Sequence, residues 1–199
     1  MSAQIQSNDV SPILKEEGSV IETRRSFLGK SGLLLTGTAI ALLSGRDALA
    51  KGGKSTASDV RILNTALGAE LEAIAAYQVG AESGLLQKPV LDLAVSFQGH
   101  HKEHADILSK TIIKLGGQPV SAKKAYAFPV ETLKNQTDVL RFAAMLEKGA
   151  VSAYLGAVPV FDNRDLAKAA ASILGDEAMH LAILRNALGE TAVPSAFMS

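Results

Sequence analysis

The sequence predicts an all-α protein, a four-helix bundle behind a separate N-terminal segment. Three observations carry this reading. Apolar residues recur in steps of four and three along four stretches. Glycine and proline punctuation separates those stretches. Aromatic residues make up only 5% of the chain, and Asn-Gly and Asp-Gly turn dipeptides are absent, which weighs against an all-β fold.

The N-terminal segment differs from the rest. Residues 1–22 are polar, and Thr23-Arg24-Arg25-Ser26-Phe27-Leu28 follows. An uncharged run from Ser31 to Ser44 comes next, then Ala48-Leu49-Ala50. A basic region, a short apolar run and a small-x-small site are the parts of an export signal. The run is 14 residues long, short for a bilayer span. The paired arginines before Phe-Leu resemble a twin-arginine signal. An amphipathic helix or an uncleaved anchor is the alternative. The expected division is residues 1–50 as the signal, cleaved after Ala50, and 51–199 as a periplasmic domain with its core at about 58–189.

The first predicted helix covers 58–83, opened near Ser58 and Asp59 and closed by Gly84. The second covers 89–115, with Pro89 in its first turn and Gly116-Gly117 beyond its end. Residues 116–136 hold Pro119 and Phe128-Pro129 and read as a long loop. The third covers about 137–157. The fourth starts after Asp162, a candidate cap, and stops at Gly189. The tail, with Pro194 and Phe197, packs loosely if at all.

The apolar seams of these helices are interrupted by chemistry. In the fourth the seam reads Leu166, Ala170, Ile173, Glu177, His180, Leu184, Leu188. In the third it reads Leu140, Ala144, Glu147, Val151, Tyr154, Val158, and in the first Leu63, Leu67, Glu70, Ile74, Tyr77. In the second it reads Val90, Ala94, Phe97, His101, His104, Leu108. Each helix therefore aims at least one metal-capable side chain inward. A buried carboxylate costs several kcal/mol unless it is paired or coordinates a metal. Three of them in one interior would repel one another without a cation.

The chain also repeats itself. Glu70 and Tyr77 recur as Glu147 and Tyr154, and His104-Ala-Asp-Ile-Leu recurs as His180-Leu-Ala-Ile-Leu. Two helical hairpins about a pseudo-twofold axis follow, with the loop 116–136 as crossover. Tyr77 and Tyr154 read as core residues whose hydroxyls bond a carboxylate or water. His100 lies on nearly the same face as His104 and reads as a neighbour of the site or as exposed. Glu72, Lys102, Glu103 and Lys123-Lys124 read as solvated.

With these motifs the chain resembles the ferritin-like superfamily, and more narrowly the exported, twin-arginine-signalled ferritin-like domain proteins. The resemblance spans about 58–189. It implies a di-metal site with a Glu from each of two helices and a Glu-x-x-His from each of the others. Glu70 and Glu147 match the single glutamates, and Glu177-Ala-Met-His180 matches one full motif. The other motif falls on His101-Lys-Glu-His104, where His101 stands in place of a bridging glutamate. The implied ligands are Glu70, His101, His104, Glu147, Glu177 and His180, and the implied cofactors are two divalent ions, iron or alternatively manganese. One ion, or zinc, also suits such donors. The resemblance further implies peroxide or dioxygen chemistry in oxidative stress. A non-enzymatic metal binder or structural bundle with a diverged site is the rival reading.

The composition excludes other classes. Lys plus Arg is 20 and Asp plus Glu is 20, so bulk positive charge drives no nucleic-acid binding. The chain has no cysteine, which removes disulfides, thiolate nucleophiles and Cys-ligated clusters. No segment of the domain reaches the eighteen or so apolar residues that a membrane helix needs. Bundles of this kind often pair through an outer helix face, which leaves a homodimer open.

Overall fold

The structure is a computed structural model that describes residues 55–198. The proposed export signal, residues 1–50, lies outside them. Four α-helices make the body: α1 (Ser55–Glu82), α2 (Lys88–Lys114), α3 (Gln136–Ala157) and α4 (Arg164–Ala187). Short 3-10 turns at Val130–Thr132 and Val158–Val160 precede α3 and follow it. Helix α1 packs along α2, and α3 along α4, as two hairpins that meet through α1 and α3. The expected bundle is present, and residues 116–135 cross over between the hairpins.

Helix boundaries follow local chemistry. The Asn135 side chain accepts the N–H of Asp138 at 3.0 Å and caps α3. Asn163, not Asp162, caps α4: its Oδ1 accepts the N–H groups of Asp165 and Leu166 at 2.8 and 3.4 Å. Helix α1 is already helical at Ser55, so Ser58 and Asp59 do not open it. Helices α1, α2 and α4 are followed by Gly84, Gly116 and Gly189, all at positive φ, the left-handed stop that the glycine punctuation implied.

Asp59 has another task. It is buried, and its two carboxylate oxygens accept the N–H groups of Asp162 and Asn163 at 2.9 and 3.0 Å. Helix α1 thereby holds the chain at the entrance to α4 and joins the two hairpins. Asn64 anchors the crossover, donating to the Gln118 carbonyl at 3.0 Å and accepting the Val120 N–H at 2.8 Å. Phe128, stacked on Tyr126, meets Phe142 of α3 edge-on and fixes the far end of the crossover. Gly117 allows a close approach, since a Cβ there would stand 2.6 Å from Val60 Cγ1.

The core falls into layers. One apolar cluster gathers Leu63 and Leu67 of α1, Ala105 and Leu108 of α2, Tyr154 of α3 and Ile173 of α4. A second gathers Tyr77, Phe97, Leu140 and Leu184. Between the two lies a layer of buried polar residues contributed by all four helices: Glu70, His101, Glu147, Glu177 and His180. The polar layer is closed at both ends by apolar side chains. The tail is exposed, with Phe197 and Val193 in solvent.

Removing the Asp59 clamp tests the joint between hairpins. Asp59→Ala is expected to lower unfolding stability by about 2 kcal/mol, since two hydrogen bonds to a charged acceptor are lost. Asn163→Ala, which removes an ordinary cap, is expected to cost about 1 kcal/mol. Equilibrium urea unfolding measures both, and equal costs would contradict a joining role for Asp59.

Candidate metal centre

The six residues singled out from the sequence converge. Each helix contributes at the level of the polar layer: Glu70 from α1, His101 and His104 from α2, Glu147 from α3, Glu177 and His180 from α4. Two four-residue groups have donor atoms near enough to share an ion: Glu70, His101, His104 and Glu177, and then His101, Glu147, Glu177 and His180. Glu177 and His101 belong to both groups.

Glu177 lies at the centre and is wholly buried. Its Oε1 is 3.1 Å from Nδ1 of His104, and its Oε2 is 3.5 Å from Nδ1 of His180. Neither oxygen has a hydrogen-bond partner, nor do those two imidazole nitrogens or Glu147 Oε2. Buried polar atoms are normally bonded, and their absence of partners needs a cause. Once the two imidazoles are deprotonated, these five atoms offer lone pairs within one buried layer, the arrangement that suits a cation. The residues present therefore fit a bound metal.

His101 stands beside Glu177, its Nδ1 3.6 Å from Glu177 Oε1. Its Nδ1 is 2.8 Å from Glu70 Oε2, and its Nε2 is 3.3 Å from Glu147 Oε1. An imidazole that faces carboxylates with both nitrogens is suited to donate from both, as a cation. The two tyrosines cross between hairpins. The Tyr77 hydroxyl of α1 donates to Glu147 of α3, and the Tyr154 hydroxyl of α3 donates to Glu70 of α1 at 2.6 Å. The core reading of the tyrosines holds: they orient the two single glutamates.

Charge sets the protonation of the layer. Burial alone lowers an imidazole's pKa, but here the carboxylates outweigh it. Glu147 and Glu70 push His101 up to about 10. Glu177 and Glu70 push His104 up to about 9, and Glu147 and Glu177 push His180 up to about 9. Burial raises a carboxyl's pKa, yet His101 and His104 hold Glu70 below its ordinary value, and His101 and His180 do the same for Glu147. Burial, with Glu147 beside Tyr77 and Glu70 beside Tyr154, keeps both hydroxyls protonated far above 10. Without an ion, protonated imidazoles offset the charge of Glu70 and Glu147.

Two residues outside the seams belong to this neighbourhood. Asp176 precedes Glu177, and its Oδ2 stands 3.1 Å from His100 Nδ1, 3.3 Å from His180 Nε2 and 3.5 Å from His104 Nε2. His100 Nδ1 lies 2.9 Å from His180 Nε2, so it adjoins the site while its side chain stays 43% exposed. The seam pattern missed Asp176 because it sits one residue off the stripe. A carboxylate beside a metal-capable imidazole's second nitrogen was the signal that could have found it.

Comparison with known proteins agrees with this geometry. The family model for the ferritin-like domain matches residues 58–190, and the chain belongs to that family. Among solved structures, the chain is similar to a conserved hypothetical protein, rv2844, from Mycobacterium tuberculosis. The identity is 22% and the TM-score 0.62, over 72% of this chain and 99% of that one. At that identity the likeness concerns the fold. No curated protein matches the chain.

The protonation pattern predicts how stability depends on pH. In chelator-stripped protein the folded imidazoles keep protons that the unfolded chain releases above 6.5. Their contribution is complete below 6.5 and is lost as pH rises through about 9 to about 10. The lowered carboxyls contribute above 4.5 and lose that contribution as pH falls further. Thermal unfolding is expected to show greatest stability between these limits and a decline from neutral pH to pH 10. A flat profile over that alkaline range would contradict the pairing.

Proposed function

We propose that this chain is an exported ferritin-like metal-binding protein whose buried layer takes two divalent ions, iron or alternatively manganese, and acts in oxidoreductase chemistry on peroxide or dioxygen. One observation carries the reading: both oxygens of Glu177 are buried without partners, and each stands beside an imidazole of a different donor group. A carboxylate so placed suits a bridge between two ions. Glu70 and His104 would complete one side, and Glu147 and His180 the other.

A reduced iron or manganese pair would supply electrons for the reduction of peroxide or dioxygen, chemistry that Glu and His lack by themselves. The chain's own residues do the rest. Tyr77 and Tyr154 hold Glu147 and Glu70 in orientation. The apolar layers to either side exclude water and strengthen the electrostatics within. His104 and His180 must shed protons to ligate, so loading releases protons into solvent. Asp176 stands 3.5 and 3.3 Å from the outward nitrogens of His104 and His180, a carboxylate placed to favour that ring orientation.

His101 favours a second reading, a metal binder without turnover. It puts an imidazole, bonded to Glu70 and Glu147, where the family pattern has a second bridging carboxylate. The layer then carries three carboxylates against two divalent ions, and a water or hydroxide would have to balance the charge.

Metal analysis of protein from its native compartment is expected to find about two iron or manganese ions per chain. Finding neither metal would sink the oxidoreductase reading. Peroxide consumption by the loaded protein is expected to fall to background in Glu177→Ala, whereas metal binding with no consumption in the wild type would favour the second reading. Export is tested separately: replacing Arg24 and Arg25 together with lysine is expected to keep the protein in the cytoplasm on cell fractionation.

A further inference from the structure

Among the described residues, a run of polar side chains leads outward from the buried layer. His101, Glu147, Glu177, His180 and Glu70 have side chains that are 3% exposed or less. The side chain of His104 is 14% exposed, that of Asp176 23% and that of His100 43%. Exposure thus rises in steps from Glu177 to His100 on the side where α2 faces α4. Along this path stands a third group of donors, His100, Asp176 and His180.

The dimensions of this group suit a single ion. Nδ1 of His100, Nε2 of His180 and Oδ2 of Asp176 are separated by 2.9, 3.1 and 3.3 Å. Ligands about 2.1 Å from one transition-metal ion stand about 3.0–3.4 Å apart when their angles lie between right and tetrahedral. Two imidazoles and one carboxylate cap one face of an ion and leave its other positions to water.

We propose that His100, Asp176 and His180 form a third metal site, a solvent-side receiving site that passes divalent transition-metal ions to the buried layer. The proposal rests on the reading of that layer as a metal centre. His180 is the shared element. Its Nε2 faces the outer group, while its Nδ1 faces Glu147 and Glu177 at 3.5 Å each. The ring is stacked on Phe97 with centroids 3.9 Å apart, which fixes these two directions.

A neutral imidazole has one lone pair and one N–H. His180 therefore serves one ion at a time. With an ion outside on Nε2, the proton sits on Nδ1 beside Glu147 and Glu177. With an ion inside on Nδ1, the proton sits on Nε2 beside Asp176. Inward passage would therefore require the Nδ1 proton to leave to a neighbouring carboxylate or water, and Nε2 to take up a proton from the solvent side where Asp176 stands, without ring rotation.

Stopped-flow mixing of chelator-stripped protein with Co²⁺, followed by its visible absorption, tests this. His100→Ala, a half-exposed position, is expected to leave the final amount of bound Co²⁺ unchanged and to slow its uptake by about tenfold. Glu177→Gln is expected to retain one rapidly exchanging Co²⁺ per chain, which the His100→Ala, Glu177→Gln double variant loses. Uptake at the wild-type rate in His100→Ala, or no His100-dependent Co²⁺ in Glu177→Gln, would overturn the receiving site. A wild-type protein that binds only the His100-dependent ion would instead overturn the reading of the buried layer and leave the receiving site standing.

Discussion

The structure depends on one constraint: three carboxylates and three imidazoles share a single layer inside an apolar bundle. Ionised groups taken from water cost several kcal/mol each unless partners replace the lost hydration. Here the partners come from all four helices. Glu70 of α1 meets His101 of α2 and Tyr154 of α3, and Glu147 of α3 meets Tyr77 of α1 and His101. No hairpin satisfies its own glutamate alone. The layer thereby sets the register in which the two hairpins dock, because sliding one past the other would leave charges unpaired.

The internal repeat gives this exchange its form. Each hairpin supplies a Glu and, two helical turns later, a Tyr that reaches across to the other hairpin's Glu. Where the halves diverge, the layer becomes asymmetric. Glu177 and His101 hold corresponding positions, one a carboxyl with both oxygens unpartnered and the other an imidazole that faces carboxylates with both nitrogens. The same residues that weaken a symmetrical bridged pair provide the charge balance of the layer without an ion. A proton on each imidazole does the electrostatic work that a metal ion would take over.

Imidazoles with two differently placed nitrogens also connect the interior with solvent. His104 and His180 turn Nδ1 toward Glu177 and Nε2 toward Asp176. One carboxylate oxygen of Asp176 thus meets three rings at once. The buried layer and its surroundings form a continuous set of lone pairs and protons.

Periodicity alone was enough for four helices, for their glycine stops and for the inward placement of Glu70, His101, His104, Glu147, Glu177 and His180. A stripe of apolar residues marks the face that must leave water, and any polar residue on it must go in as well. The family pattern was readable for the same reason. Periodicity was silent on residues that lie off the stripe. Asp176 falls about 100° around its helix from Glu177, so the pattern of α4 alone assigns it to the surface, whereas His100, four residues before His104, reads as either a neighbour of the site or exposed. Their meeting is made by side chains that reach across from α2 to α4. Asp59 looked like a helix opener because capping is a local property, whereas its bonds to Asp162 and Asn163 span more than a hundred residues of chain. Periodicity within a helix reports which side is buried; which buried atom meets which is a property of the packed helices together.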